Sequence, residues 1–390
     1  MDRSTRRVFV AGGLSVAALN RLRLFAQAPV ALPADLSVAM VETTMRRFPD
    51  ASTLGTWGYQ QALFLFGEFL VYKRTHDARY LTYIRSWADA NVDKDGAIDR
   101  PIDSLDYMLP GRLMLQLYKE TGDQRYAAAA RTIRRRLDTY PRTEDGAFWH
   151  ATTRQHQLWL DGTYMSLPFL VEYGEAFNDR KYAYDEAAKQ LLLYAHHLND
   201  PQTGLFFHGY DESGAQPWAD PVTHRSGFFW ARSIGWFGMA LIDVLANMPK
   251  DHPHRAELIA LVRQLAQAYE KYQDQATGLW FNVVNRPREP GNWPETSASS
   301  MYTYMLENGV ERGYLDAKDR SVACKGYRGV LSQLTATSDG DLHIADICDG
   351  TDVSGLAYYL ARPRKTDDLH GLGAFLIMNE RMRVSSCASR

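Results

Sequence analysis

Two aspartates, Asp106 and Asp161, occupy matching places in a recurring pattern, each just ahead of a long apolar stretch. Asp106 lies in SLDYMLPG (104–111). Pro110 there suits only the first turn of a helix, so a helix begins just before it. Asp161 lies in LWLDGTYM (158–165), between Trp159 and Tyr164. One aspartate at a helix start ordinarily caps it by accepting backbone N–H groups. Two at adjacent openings of a closed ring would face one cavity. Apolar surroundings and a neighbouring carboxylate both favour the protonated form, which makes a general acid at neutral pH.

Further along, WARSIGW (230–236) opens another apolar stretch. Arg232 and Trp236 are four apart and share a helix face. Arg232 is either a structural cation paired to a buried acid or a bidentate clamp for a substrate carboxylate, beside the stacking rings of Trp230 and Trp236. His150 and His208 end two equivalent Gly-aromatic turns, in FWH (148–150) and FFH (206–208), and His370 opens the last apolar stretch. HExxH, CxxC and Walker motifs are absent, and the metal-capable residues of His343–Asp349 lack zinc spacing. No metal or organic cofactor is expected.

The elements that must position these groups repeat six times. Apolar stretches at 57–73, 107–121, 162–177, 230–247, 297–313 and 369–383 read as buried inner helices. Amphipathic stretches at 35–48, 77–92, 123–138, 180–198, 254–274 and 317–335 read as outer ones. Asp77, Asp123 and Asp179 stand where each could cap an outer helix, each three residues before a Tyr. Turns carrying Gly96, Gly146, Gly204, Gly278 and, in degenerate form, Gly340 close the outer helices. A loose repeat of helix pairs indicates stacked or ring-closed hairpins. The expectation is an all-α protein, an (α/α)6 barrel, with short strand pieces at 205–208 and 279–284. The long loops 199–228 and 336–367 exceed ordinary connections and are expected to carry function.

The chain has 390 residues and a net charge of −2, which argues against nucleic acid as a partner. With 9 Trp and 22 Tyr it is rich in rings that serve a core or stack on sugars. Its three cysteines, Cys324, Cys348 and Cys387, form neither a disulfide framework nor a zinc site; a Cys324–Cys348 bridge is open to the chain but not expected. Residues 1–28 read as a twin-arginine-type signal peptide, with TRRVFV (5–10), a short apolar run and Ala26-Gln27-Ala28. Export to the periplasm follows, leaving 29–390 as a single catalytic domain with no membrane anchor, expected to be monomeric.

The runs PRTEDGAFWH (141–150), QLWLDGTYMSLPF (157–169), DPQTGLFFHGYDES (200–213), FWARSIGWFGMAL (229–241) and DLHGLGAFL (368–376) resemble the unsaturated rhamnogalacturonyl hydrolases, family 105 of the glycoside hydrolases. The resemblance runs from about residue 40 to 380 and implies the (α/α)6 barrel found independently by counting helices. It implies an acidic oligosaccharide substrate ending in a 4,5-unsaturated uronic acid left by a polysaccharide lyase. By the same resemblance Asp161 is the general acid/base and Asp106 its partner. His208, Trp230, Arg232 and Trp236 match sugar-binding positions, with Tyr59 and Trp159 in the same cavity. Ala151 departs from the family, where Lys usually follows FWH, and this leaves the uronide or aglycone open. Three other readings share the toroid: an unsaturated glucuronyl hydrolase, a sugar epimerase working through His pairs, and a non-catalytic sugar-binding protein.

Overall fold

Three of the inner helices stop where a left-handed residue turns the chain back. His76, Gly122 and Asn178 take φ of 58°, 73° and 59°, and an aspartate follows each. Asp77 and Asp123 then cap the next helix by accepting from the N–H groups of Arg79 and Arg125. Asp179 departs from that expectation. Its carboxylate accepts from Arg134 Nε at 2.7 Å instead of capping. The five glycines of the outer-helix turns, Gly96, Gly146, Gly204, Gly278 and Gly340, all take positive φ, so the degenerate copy is a true one.

The computed structural model describes residue 1 and residues 30–387, so the leader read at 1–28 lies outside the described residues. In chain order the helices are α1 (Leu36–Arg47), α2 (Tyr59–Thr75), α3 (Ala78–Asn91), α4 (Pro110–Thr121), α5 (Gln124–Asp138), α6 (Gly162–Phe177) and α7 (Arg180–Leu198). They continue with α8 (Ala231–Asn247), α9 (Arg255–Tyr272), α10 (Thr296–Glu311), α11 (Arg320–Leu331), the short α12 (Leu356–Leu360) and α13 (Leu369–Met382). Helices α2, α4, α6, α8, α10 and α13 each pack on the next, and α13 returns to α2, which closes an inner ring. Burial fits that position: every residue of α8 from Ala231 to Leu245 is buried. The outer helices α3, α5, α7, α9 and α11 each pack on the inner helix before them, and α1 packs on α13. The first and last helices therefore form the sixth hairpin, an (α/α)6 toroid whose seam joins the chain ends.

Helix ends shift by a few residues from the sequence reading, as where α4 begins at Pro110, and two further differences are larger or change the element. The last outer helix is shorter than 317–335, being a 3-10 turn (Ala317–Asp319) followed by α11. The strand expected at 205–208 lies slightly later: β1 (Gln157–Trp159) pairs antiparallel with β2 (Gly209–Asp211). Trp280–Phe281 does pair, with Pro294–Glu295, within the expected 279–284.

The cysteines also require a correction. Cys324 of α11 bonds Cys387, beyond α13, and Cys348 is free and buried. Ring closure brings α11 beside the chain end, a proximity invisible in linear spacing. The bridge spans 63 residues, for which loop entropy gives about 4 kcal/mol. Cys387→Ser is expected to lower unfolding stability by roughly 2–4 kcal/mol. Denaturant melts with and without reductant check this: only the wild type should respond to reduction.

The ring interior is crossed by a buried polar network. Arg112 of α4 donates from Nε to Glu172 of α6 at 2.7 Å. Its Nη1 donates to Asp243 of α8 at 2.7 Å and to the Tyr164 hydroxyl at 3.0 Å. Tyr304 of α10 donates to the other Asp243 oxygen, and the guanidinium lies over the Phe66 ring of α2. Five inner helices are thus tied at one level. Tyr164 stacks on Trp236 at 5.0 Å between ring centres, which connects this belt to the floor of the cleft above.

Candidate active site

The connections from outer to inner helices are the long ones, and they gather at the mouth where the inner helices begin. Asp106 does not open α4 directly. It sits in a separate 3-10 turn, Leu105–Tyr107, three residues ahead of Pro110. Ser104, not Asp106, caps that turn by accepting from the Asp106 N–H at 3.2 Å. Asp161 stands at the N-cap position of α6, yet its side chain makes no capping bond. At two other inner openings the acids do cap: Glu295 accepts from the Ala298 N–H and Asp368 from the His370 N–H. Asp106 and Asp161 are therefore mouth carboxylates not used as caps, and the capping explanation falls away for both.

Backbone pairing holds them in one place. The Leu105 N–H donates to His150 C=O, His150 N–H to Gln157 C=O, and Leu160 N–H to His208 C=O. With Trp159 opposite Gly209 in the β1–β2 pair, a small β frame carries both histidines and both acids. Gly162 is required by this close approach, since a Cβ there would lie 2.6 Å from Leu105 Cδ1.

The resulting cleft, of about 160 Å³, is walled by Tyr59, Trp159, Trp230 and Trp236, with Asp106, Asp161 and His150 among its polar groups. Gly350, Thr351 and Asp352, from the long loop expected to carry function, complete its rim. The space is well below the several hundred Å³ of extended ligand sites and is on the scale of one sugar ring. Each acid faces a histidine: His150 Nε2 lies 3.6 Å from Asp106 Oδ2, and His208 Nε2 lies 3.5 Å from Asp161 Oδ2. Asp161 Oδ1 is buried without a hydrogen-bond partner. His150 stacks face to face on Trp159 at 4.5 Å. Burial works against a charge on His150, but the Asp106 carboxylate outweighs it and lifts the imidazole above its ordinary pKa. Asp106→Asn is accordingly expected to move the His150 titration to lower pH, as ring proton shifts followed by NMR would show. An unmoved titration would separate the two groups electrostatically.

His370 approaches from the far side of the mouth. Its Nε2 meets the Tyr59 hydroxyl at 2.6 Å, and its Nδ1 meets Asp368. Asp368 holding the Nδ1 proton leaves Nε2 to accept, so Tyr59 donates to it, with the Gln60 amide 3.0 Å from the same nitrogen. Burial, with the Arg232 charge beside it, lowers the His370 pKa. His370 thus orients Tyr59 and is not one of the residues walling the cleft.

Arg232 is fully buried behind the wall. Its Nη1 donates to Cys348 C=O and its Nη2 to Asp349 C=O at 2.7 Å, while the Glu295 carboxylate lies 4.0 Å away. In this geometry Arg232 ties down the rim loop, as the structural one of its two readings expects. Arg154 and Asp352, by contrast, pair at 3.4 Å on the exposed edge of the mouth.

Residues 36–384 match the model of Glycosyl Hydrolase Family 88. A solved family 105 glycoside hydrolase from C. acetobutylicum is 33% identical, with a TM-score of 0.86 over 89% of this chain and 99% of its own. The chain belongs to the family 88/105 glycoside hydrolases. Its relatives include the unsaturated rhamnogalacturonyl hydrolase YesR of Bacillus subtilis, 25% identical over 63% of this chain and 68% of that one. The unsaturated 3S-rhamnoglycuronyl hydrolase of Formosa agariphila is 29% identical over 43% of this chain and 44% of its own. The epimerase and pure binding readings therefore give way to a glycoside hydrolase of the unsaturated glycuronyl type.

Several groups of this family 88/105 site carry no signal in the sequence. Asp368 opens the run DLHGLGAFL, where nothing in the spacing marks it as the partner of the His370 ring. Tyr359 and the rim residues 350–352 sit in a loop without periodicity. The His343 side chain, from the run with metal-capable residues, is committed to Asp367 at 2.6 Å.

Proposed function

We propose that this hydrolase removes the 4,5-unsaturated uronic acid from the non-reducing end of lyase-generated oligosaccharides, with unsaturated rhamnogalacturonan from pectin as the substrate. The observation carrying this reading is the pair of carboxylates not used as caps, each facing a histidine, in one ring-sized aromatic cleft. Asp161 in its acid form gives a proton to C4 of the enol ether. The C4=C5 electrons form that C–H bond and leave an oxocarbenium ion shared by C5 and the ring oxygen. Water attacks C5 and returns a proton to the Asp161 carboxylate. The C5 hemiketal then opens, with cleavage of the C5–ring oxygen bond, and the resulting anomeric hemiacetal expels the remaining sugar as an alcohol. One water is consumed and the acid is restored. An ordinary glycosidase instead protonates the leaving oxygen and is attacked at the anomeric carbon.

Asp106, with His150, places a negative charge near the developing cation, and Trp159, Trp230 and Trp236 supply faces for the ring. Likeness to the Bacillus subtilis enzyme supports the rhamnogalacturonan substrate. Likeness to the Formosa agariphila enzyme favours a second reading, an unsaturated uronate on a different chain. The disulfide supports export to the oxidising periplasm, in keeping with the leader read at 1–28. The loss of the C4=C5 absorbance and the release of the remaining sugar, followed together, test the chemistry. Absorbance loss that keeps pace with or precedes release is the expected result, and sugar released ahead of the absorbance loss would remove the hydration mechanism.

A further inference from the structure

The rim loop reaches the proposed acid through one buried hydroxyl. Tyr359, on α12, is fully buried, and its Oη lies 2.8 Å from His208 Nδ1. The same oxygen accepts from the Ser354 N–H at 3.2 Å. Its backbone is pinned as well: Asn282 Nδ2 donates to Tyr359 C=O, and Asn282 Oδ1 accepts from Trp230 Nε1. The His208 ring sits between Trp159 and Trp230, at 5.9 and 4.7 Å between centres. His208 has no exposure, and its Nε2 has no hydrogen-bond partner closer than the 3.5 Å approach to Asp161 Oδ2.

We infer that Tyr359 is a positioning residue that holds His208 as the tautomer with its proton on Nε2. The Tyr359 oxygen accepts the Ser354 N–H, and among the described residues Nδ1 is the acceptor within reach of its buried proton, so the hydroxyl donates there. A neutral imidazole that accepts at Nδ1 must carry its hydrogen at Nε2. That hydrogen points at Asp161 and favours the carboxylate left after proton transfer to carbon. In the opposite tautomer Nε2 would be a bare acceptor. The Asp161 O–H would then turn to the imidazole, and the proton would be withheld from the substrate. Seating of the rim loop is thereby linked to the proton-donating state of the acid. The other ionisable groups facing Asp161 are Tyr59 from α2, His150 and Asp106 from the β frame and 3-10 turn, Tyr194 from α7, and Asp352 on the rim.

This inference rests on Asp161 being the acid, and its test separates the two claims. In the full chain labelled with ¹⁵N-histidine, and with His208→Gln to assign the signals, the wild type is expected to show a protonated Nε2 and a bare Nδ1. Proton on Nδ1 in the wild type overturns the inference whatever Asp161 does. Tyr359→Phe, checked for folding by its thermal melt, is expected to populate both tautomers. It should lower kcat about 10- to 100-fold with KM little changed. The alkaline limb of its kcat profile should move to higher pH, because the donor favouring ionised Asp161 is lost. A lower kcat with an unmoved limb, or a change confined to KM, would make Tyr359 merely structural.

Discussion

Asp161→Asn is expected to lower kcat by about 10³- to 10⁴-fold, while KM stays within a few-fold and the melting temperature does not fall. The amide keeps the shape of the carboxylate but has no acidic proton to give to carbon. A 10³-fold loss corresponds to about 4 kcal/mol of transition-state stabilisation. The native fold loses little, because the Asp161 side chain caps nothing and its Oδ1 has no partner. A buried carboxyl with one oxygen left without a partner gains little from its charge, so its neutral isostere is tolerated. Steady-state kinetics and a thermal melt on one preparation check both halves. Raised KM with intact kcat would move Asp161 from the chemistry to binding.

The largest effect on folding is expected from Arg112→Met. This residue fills a similar length of space but removes the cation shared by Glu172 and Asp243. Two nearly buried carboxylates, on α6 and α8, would then keep only neutral donors, Gln116 for Glu172 and Tyr304 for Asp243. Breaking a buried pair from one side costs about 3–5 kcal/mol. The Tyr164 hydroxyl loses a donor too, and Tyr164 underlies Trp236 in the cleft floor. Denaturant unfolding should report the loss, and substrate binding should weaken with it. Replacing Arg112, Glu172 and Asp243 together by apolar residues of matched volume should recover much of the stability, because no charge is then stranded. A single Arg112→Met chain as stable as wild type would show that the belt is not a tie between the inner helices.

The six helix pairs were legible because apolar runs of helical length alternate with amphipathic ones, whereas the short α12, inside the segment read as a loop, was not. The left-handed turns were legible because Gly and Asp recur at them. The fate of individual acids was not. Asp77, Asp123, Asp179, Glu295 and Asp368 all precede helices, but capping depends on the local backbone and on rival partners. Arg134 takes Asp179 away from that role, for example. Arg232 drew attention through its spacing from Trp236, and that spacing cannot distinguish a wall residue from one behind the wall. Arg112 drew none, because its partners Glu172 and Asp243 come from two other repeats. The Cys324–Cys387 bond and the Tyr359–His208 contact depend in the same way on closure of the ring, which brings the end of the chain against its middle.

The most direct measurement is the ultraviolet absorbance of the C4=C5 bond in an unsaturated rhamnogalacturonan disaccharide, followed after addition of the wild-type protein or of Asp161→Asn. Decay with the wild type alone is predicted. Persistence of the absorbance with the wild type on this substrate and on an unsaturated glucuronyl disaccharide, or equal decay with Asp161→Asn, would contradict double-bond hydration by Asp161.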